Sequence, residues 1–329
     1  MKKLLGILLA LCLLLGCTAA LADPIKLTYA EVNPIDGTIV GEVAKAFKAK
    51  LEELSGGEIE VDIQGGGVLG VEKDILAGIL SGQDTVDICR ISAFALNQFG
   101  CTKSVFLSLP FVFQSEDHYW NFVSSDLAKD FLAEPKNLGL PITGLAYGEE
   151  GYRHFFLKKE AHTIADLKDL QIRVSDDPIM NGLVKGLGAQ PANVSFGELY
   201  QALSSGVVDA AEQPSVNYLK NSFQEVAPYL LKDGHTLGTI ELIATDTGMA
   251  KLSDEQKAMV QEAADYAMSV CKEKVTTLTA EAEKTLVEEK GCTIIEVEDK
   301  TPWIEATKDL VAQFTAGMEA DLQAILDLQ

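Results

Sequence analysis

The chain contains very little arginine and an excess of acid. Of its 27 basic residues only three are arginine, against 49 acidic residues, and the formal net charge is −22. Such an acidic surface argues against nucleic acid or an anionic membrane as a partner. The four histidines show no metal-ligand spacing, so no metal site is expected.

Sequence motifs of catalysis are also missing. The chain has no H-E-x-x-H, no G-x-S-x-G and no phosphate-binding P-loop. The segment 65–70 formally matches G-x-G-x-x-G between a predicted strand and a helix, but Asp84 and Asp87 fall too early for the acidic ribose partner of a dinucleotide site. We therefore predict no cofactor and no catalytic residue, and interpret these glycines as a loop that approaches a cleft closely.

Long apolar runs are confined to the N-terminus. Lys2 and Lys3 precede an apolar stretch at 4–15, and an A-x-A pattern ends at Ala22. This arrangement predicts a signal peptide over residues 1–22, too short for a membrane span. A lipobox-like Leu-Leu-Gly-Cys leaves lipidation of Cys17 as the alternative. No later run reaches 18 apolar residues, so a soluble mature chain is expected.

The mature chain is long for one hydrophobic core. About 307 residues remain after cleavage, which predicts two domains. The leader carries two lysines and no acid, so the formal charge of residues 23–329 becomes −24. Four cysteines remain without C-x-x-C spacing, and no disulfide pairing is predicted. They are Cys89, Cys101, Cys271 and Cys292.

Strand-like and helix-like segments alternate along the chain. The β-α-β-α-β opening predicts a mostly parallel sheet with helical crossovers. Its strands are predicted at 25–30, 58–63 and 86–91, and its helices at 37–54 and 71–80. Further strands are predicted at 140–147, 152–157, 171–174 and 207–212, and helices at 178–187, 195–203, from 253 past 270, and 301–328. The Gly-Glu-Glu-Gly segment 148–151 is interpreted as the point where the chain leaves its first domain.

All three arginines lie in or beside strand-like runs, whereas the lysines are spread over polar helix faces. Arginine binds a carboxylate with two parallel hydrogen bonds and stays charged when desolvated. Arg90, Arg153 and Arg173 are therefore candidates for carboxylate recognition. The alternative is structural, in which each arginine pairs with one of the many acidic residues.

A resemblance to a known family extends over essentially all of the mature chain. The segments that carry it most specifically are 167–174, 188–191, 196–203 and 206–213, with 67–73 and 109–113 in support. They resemble the DctP-type solute receptors of TRAP (tripartite ATP-independent periplasmic) transporters. The resemblance implies an extracytoplasmic, periplasmic receptor that hands its solute to transporter membrane subunits driven by an ion gradient.

The resemblance also implies the architecture. The expected fold is α/β, a two-domain periplasmic-binding-protein-like clamshell with mostly parallel sheets flanked by helices and one long domain-spanning helix. Domain I is expected to comprise residues 23–150 and 239–278, and domain II residues 151–238 and 279–329. The organic acid would dock in domain II, and closure would bring domain I onto its far end.

The family site maps onto eight residues of this chain. By resemblance, Arg173 would form a bidentate salt bridge to the ligand carboxylate, and Arg153 would add a second positive contact. Gln213 stands where the family typically has Asn. The positions expected on the first domain's side and around the ligand are Glu72, Arg90, Ser92, Asn33 and Phe196. For Glu72, a first-turn acid stabilised by the helix dipole is the alternative; for Phe196, simple core packing.

The resemblance indicates the class of ligand less directly than it indicates the site residues. The patterns at 67–73 and 90–92 are similar to those of members that bind hexuronates such as glucuronate or galacturonate. A C4-dicarboxylate, with Arg90 on its second carboxylate, is the next hypothesis. A receptor of the ATP-driven importer class and an extracytoplasmic uronate-acting enzyme are the remaining alternatives.

Overall fold

The computed structural model describes residues 23–329. The predicted signal peptide, its cleavage after Ala22 and the possible lipidation of Cys17 lie outside the described residues. Within the described range no helix is long and apolar enough to cross a membrane.

Across residues 23–329, nine strands form one continuous sheet in the order β2-β1-β3-β8-β4-β7-β5-β6, with β9 also paired to β8. Their bounds are β1 Ile25–Ala30, β2 Ile59–Gln64, β3 Ile88–Ser92, β4 Ile142–Leu157, β5 Gln171–Val174, β6 Gln190–Asn193, β7 Ala210–Pro214, β8 Tyr229–Thr245 and β9 Thr293–Glu296. The pairings are parallel among β1, β2 and β3 and among β5, β6 and β7. The fold is therefore an α/β clamshell in which each end of the sheet is parallel, as the sequence predicts.

Helices cover the sheet. Their bounds are α1 Ile39–Leu54, α2 Glu72–Leu80, α3 Glu116–Val123, α4 Asp126–Leu132, α5 Glu134–Asn137, α6 Ile164–Leu167, α7 Pro178–Gly186, α8 Leu199–Ser205, α9 Ser215–Lys220, α10 Asp246–Ala250, α11 Asp254–Glu288, α12 Thr301–Phe314 and α13 Glu319–Leu326. Helix α11 has 35 residues and opens with a capping box, in which the Ser253 and Gln256 side chains accept hydrogen bonds from each other's backbone N–H groups.

The centre of the sheet is built from two long antiparallel strands. β4 has 16 residues and β8 has 17, and they pair along most of their length. The two short strands predicted at 140–147 and 152–157 are thus one strand, because the intervening Gly-Glu-Glu-Gly stays extended. The register shifts between Glu149 and Tyr152, where Gly151 adopts a φ of +87° that favours glycine.

Two helix predictions were wrong in detail. The predicted helix 301–328 is broken into α12 and α13, because Gly317 adopts a left-handed φ of +84° between them. In the helix predicted at 195–203, Ser195 and Glu198 have the spacing of a capping box, but the box does not form. The Ser195 hydroxyl donates to the Glu198 carboxylate at 2.8 Å, and the first turn, Phe196–Glu198, is 3-10.

Most of the aromatic run after residue 110 packs in the core. Phe113, Tyr119, Trp120 and Phe122 are buried in one cluster, in tilted and edge-on contact with each other. The four described cysteines are buried free thiols.

Candidate ligand-binding site

A cavity of about 290 Å³ lies between the two ends of the sheet. It is reached by segments at the carboxyl ends of the parallel strands, where ligands of open α/β sheets usually bind. All eight residues predicted to contact a ligand line this cavity. They are Asn33, Glu72, Arg90, Ser92, Arg153, Arg173, Phe196 and Gln213.

Arg90 projects from β3 and is already paired. Its Nε donates to Glu31 Oε2 at 2.6 Å, and its Nη2 donates to the other oxygen of the same carboxylate. Both side chains are buried, and Glu31 also accepts from the backbone N–H and side-chain amide of Asn33 at 2.7 and 3.0 Å. Asn33 thus orients Glu31, and Arg90 presents only its remaining edge to the cavity.

Glu72 and Ser92 meet on the same side of the cavity. Glu72 is the first residue of α2, and its Oε1 accepts from the Ser92 N–H at 2.7 Å and lies 3.6 Å from Arg90 Nη1. Burial raises the pKa of Glu72, although Arg90 and the Ser92 N–H oppose that shift. The side chain is thus a hydrogen-bonding group of the cavity wall as well as a first-turn acid.

Arg153 of β4 is held by a buried acid-histidine chain. Its Nε and Nη2 donate to the two oxygens of Glu212, the latter at 3.0 Å, and His235 Nε2 lies 3.8 Å from Glu212. Burial alone would raise the pKa of Glu212, but Arg153 and His235 lower it to about 2. Burial likewise opposes charging of His235, yet Asp233 at 2.7 Å and Glu212 raise its pKa to about 9. Glu212 is therefore ionised at neutral pH and fully engaged.

Arg173 of β5 differs from the other two arginines. Its Nε donates to the Val194 carbonyl at 2.9 Å, and its Nη1 is buried without a hydrogen-bond partner. No carboxylate in the described part of the chain lies within ion-pair distance of it, although it is only 3% exposed. Burial lowers the pKa of Arg173 to about 10, so the group is still charged at neutral pH. A buried, charged and unpaired guanidinium is a ready partner for an anion.

Phe196 and Gln213 complete the wall around Arg173. The Phe196 ring lies 5.8 Å from the guanidinium carbon of Arg173, a cation–π distance, and is partly buried. Gln213, on β7, is 5% exposed and opens onto the same cavity. The Phe196 ring therefore lies within cation–π range of Arg173 at the wall of the same cavity.

The glycine segment 65–70 leads into the cavity wall. Gly66 and Gly67 have φ values near +70°, and a side chain at Gly65 would collide with Ile35. The tight loop that results delivers Val71 and Glu72 to the cavity, in line with the sequence interpretation.

Sequence reasoning missed three buried acids at this site. Glu31 and Glu212 neutralise Arg90 and Arg153, and Glu150 lies in the cavity wall. Glu212 is the last residue of a predicted apolar strand, and an acid in such a place signals a buried partner. Glu150 lies in the segment 148–151, which the sequence pattern indicates only as the point where the chain leaves its first domain.

A two-lobed α/β sheet with a polar, arginine-rich cavity between its ends defines the class of clamshell solute-binding proteins. The family model for "Bacterial extracellular solute-binding protein, family 7" (DctP) matches residues 29–317. The chain belongs to this family, as its sequence motifs predict.

Solved structures and a curated relative support this assignment. The chain is 29% identical to a TRAP periplasmic solute-binding protein of Bradyrhizobium in complex with galacturonate, with a TM-score of 0.85 over 92% of this chain and 99% of that one. It is 26% identical to one from Pseudomonas putida F1 with bound D-glucuronate, with a TM-score of 0.86 over 92% and 96% of the two chains. The C4-dicarboxylate-binding periplasmic protein DctP of Rhodobacter capsulatus is 27% identical over 83% of this chain and 82% of its own.

Proposed function

We propose that this protein is a non-catalytic extracytoplasmic receptor for a small organic acid, a hexuronate such as glucuronate or galacturonate, and that it delivers this acid to the membrane subunits of a TRAP transporter. Arg173 carries the proposal. It is the buried arginine of the cavity that lacks a carboxylate partner, and a ligand carboxylate would supply that partner.

The far side of the cavity suits hydroxyl groups. Glu72 offers a carboxylate there, beside the amide-bearing Asn33 and the hydroxyl of Ser92. The Bradyrhizobium and Pseudomonas proteins described above were solved with galacturonate and glucuronate, acids that carry one carboxylate and several hydroxyls. Both lines of support point to a sugar acid anchored at one end and bound through hydroxyls at the other.

A C4-dicarboxylate is the second candidate, favoured by the similarity to the C4-dicarboxylate-binding protein of Rhodobacter capsulatus. It would need a second cation at the far end, where Arg90 lies. Arg90, however, already pairs with both oxygens of Glu31 and faces Glu72. This engagement favours the hexuronate over the dicarboxylate.

A ligand panel tests the proposal. Thermal unfolding is measured with glucuronate, galacturonate, their parent hexoses and C4-dicarboxylates. A bound ligand at 100 times its Kd adds ~2.7 kcal/mol to the free energy of unfolding. We expect hexuronates to stabilise the protein most and neutral hexoses not at all. Equal stabilisation by a hexose and its uronic acid would contradict a carboxylate anchor.

The same sample distinguishes a receptor from an enzyme. We expect native mass spectrometry to detect a one-to-one complex and the released hexuronate to have unchanged mass after prolonged incubation. Conversion of the acid would establish the uronate-acting enzyme instead.

The mature N-terminus tests the proposed route of export. Intact-mass measurement of natively produced protein is expected to place it at Asp23, after signal-peptide cleavage. A lipid-modified N-terminus at Cys17, released as soluble protein by Cys17→Ala, would show a membrane-anchored receptor.

A further inference from the structure

Glu150 is a buried carboxylate that lines the cavity and has no part in the site predicted from the sequence. It lies on β4 just before the register shift at Gly151 and is 3% exposed. Its Oε2 accepts from Asn217 Nδ2 at 2.8 Å, and its Oε1 lies 3.5 Å from Arg153 Nη1. Asn217 fixes one oxygen, so the other faces Arg153 at a distance too long for a strong ion pair.

The charges around the cavity are distributed unevenly. The carboxylates nearest the guanidinium groups of Arg90 and Arg153 are Glu31, Glu72, Glu150 and Glu212. Two cations therefore face four acids, and two of those acids, Glu72 and Glu150, line the cavity itself. At the rim, Lys73 pairs with Asp176. Among the described cavity residues, this leaves Arg173 as the cation without a carboxylate partner.

This distribution gives the two ends of the cavity opposite preferences. The Arg173 end attracts a carboxylate, whereas the Glu72 and Glu150 end offers acceptors to hydrogen-bond donors. A second ligand carboxylate at that end would meet like charge and find no free cation. Juxtaposed like charges suppress wrong partners at a binding site.

We propose that Glu150 is a specificity-determining residue, which accepts hydrogen bonds from hydroxyls of a monocarboxylate sugar acid and excludes acids that carry a second carboxylate at that end. This inference rests on the proposed function. The alternative is a purely structural role, in which Glu150 would only hold Arg153 in place.

The burial of Glu150 supports a role in hydrogen bonding to the ligand. Burial raises the pKa of Glu150, while Arg90, Arg153 and the hydrogen bond from Asn217 oppose that shift. A carboxyl group in this environment is poorly solvated, and hydroxyls of a ligand replace the water that it lost.

Calorimetric titration with matched acids tests the inference. Galacturonate carries one carboxylate, and galactarate has the same carbon skeleton with a second carboxylate at C1. Galactonate, an open-chain acid with one carboxylate, controls for ring opening.

We expect wild type to bind galacturonate at least about tenfold more tightly than galactarate. Glu150→Gln should reduce that preference by about tenfold, because the charge is gone. Glu150→Asp should retain the preference, since the charge remains.

Glu149→Gln is the matched control. It is the same substitution one residue earlier, on a buried side chain that points away from the cavity to Trp120. We expect its preference between the two acids to equal that of wild type. An unchanged preference in Glu150→Gln would overturn the inference and leave Glu150 a structural role only.

Two further outcomes separate this inference from the proposed function. Wild type that binds galactarate or succinate as tightly as galacturonate overturns the inference and leaves the receptor assignment intact. That comparison can overturn the inference even if Glu150→Gln does not fold, which thermal unfolding reveals. Wild type that binds no acid of the panel overturns the proposed function itself.

Discussion

The three arginines, Arg90, Arg153 and Arg173, are all buried at one cavity. Removal of each would have a different effect on the carboxylates around it. Loss of Arg90 would strand Glu31, and loss of Arg153 would strand Glu212, each of them buried. Loss of Arg173 would strand no carboxylate. Two of the arginines therefore stabilise the ligand-free fold, whereas the third is itself an unpaired buried charge.

This difference predicts opposite effects on stability. Arg90→Met and Arg153→Met should each lower the free energy of unfolding by ~3–5 kcal/mol, because each leaves a buried acid without its partner. Arg173→Met should be neutral or stabilising in the absence of ligand. Urea denaturation of the three variants measures these effects. A loss for Arg173→Met as large as that for the other two would mean that Arg173 has a structural partner.

At the scale of the element, β4 directs two adjacent acids to opposite faces, as the alternation of a strand requires. Glu150 lines the cavity, whereas the Glu149 side chain contacts Trp120 of α3 and its backbone contacts Cys271 of α11. Trp120 Nε1 donates to Glu149 Oε1 at 2.6 Å, but Oε2 is buried without a partner. Burial, with a smaller contribution from Glu116, raises the pKa of Glu149 to about 8.

The raised pKa of Glu149 predicts a pH-dependent stability. The folded state holds this proton up to about pH 8, whereas the unfolded chain releases it near the ordinary pKa of 4.5. The folded state therefore binds more protons between these values, and the contribution of Glu149 to the free energy of unfolding falls as pH rises through that window. Glu149→Gln should abolish this fall in stability. The change that the substitution causes in the free energy of unfolding should be more favourable at pH 7.5 than at pH 5 by roughly 1–3 kcal/mol.

Denaturation of wild type and Glu149→Gln at a series of pH values measures the difference. The effect of the substitution should be smallest below pH 5 and should grow toward pH 8. A difference between the two proteins that is constant over this range would mean that Glu149 titrates normally in the folded state.

At the scale of the whole molecule, contacts across the cleft hold the two sides together. Lys73, after the glycine loop, pairs with Asp176, and Gln98 donates to the carbonyl of the same residue. Asn97 Nδ2 donates to Asp177 Oδ2 at 2.9 Å, and Asp177 caps helix α7. These contacts join segments on the two sides of the ligand cavity.

The rim ion pair is expected to contribute little to affinity. Lys73 and Asp176 are each more than half exposed, and exposed pairs are worth about 0–1 kcal/mol. Lys73→Ala should therefore weaken hexuronate binding by no more than about fivefold. Calorimetry at low and high salt measures the change. A hundredfold loss of affinity would instead mean that this ion pair is the main contact that stabilises the closed state.

Ligand binding should shift the population toward the closed form. A ligand does this only if it binds the closed state more tightly than the open one. We expect the radius of gyration from X-ray scattering to fall when galacturonate is added at saturation and to stay constant with galactose. Identical scattering with and without the acid would contradict closure driven by the ligand.

Much of the site was predictable from the sequence because its residues lie at strand ends. The β-α units around Arg90 and Arg173 were located to within about two residues, and their strand ends meet at one cavity by topology. The internal partners were not predictable. Glu31 meets Arg90 because β1 lies beside β3, and Glu212 meets Arg153 because β7 lies beside β4. No local pattern encodes that strand order.

Strand β8 was missed for a similar reason. Its segment 232–235 reads Lys-Asp-Gly-His, which locally favours a turn. In the structure Asp233 accepts from the Phe155 N–H at 3.2 Å and pairs with His235. Tertiary partners thus satisfy charges that would otherwise interrupt a buried strand, and only the assembled sheet provides them.

The most direct test of the account is the affinity of Arg173 variants for galacturonate, measured by calorimetry. Arg173→Ala should lose ~2–5 kcal/mol, or roughly 30- to several-thousand-fold in Kd, because the ligand carboxylate is left buried without its partner. Arg173→Lys should recover only part of this, since an ammonium cannot make two parallel bonds. The control Lys257→Ala removes an equal charge from a partly exposed residue paired with Asp254 and should change Kd by well under about tenfold. Binding by Arg173→Ala within about threefold of wild type would contradict the assignment of the carboxylate anchor to Arg173.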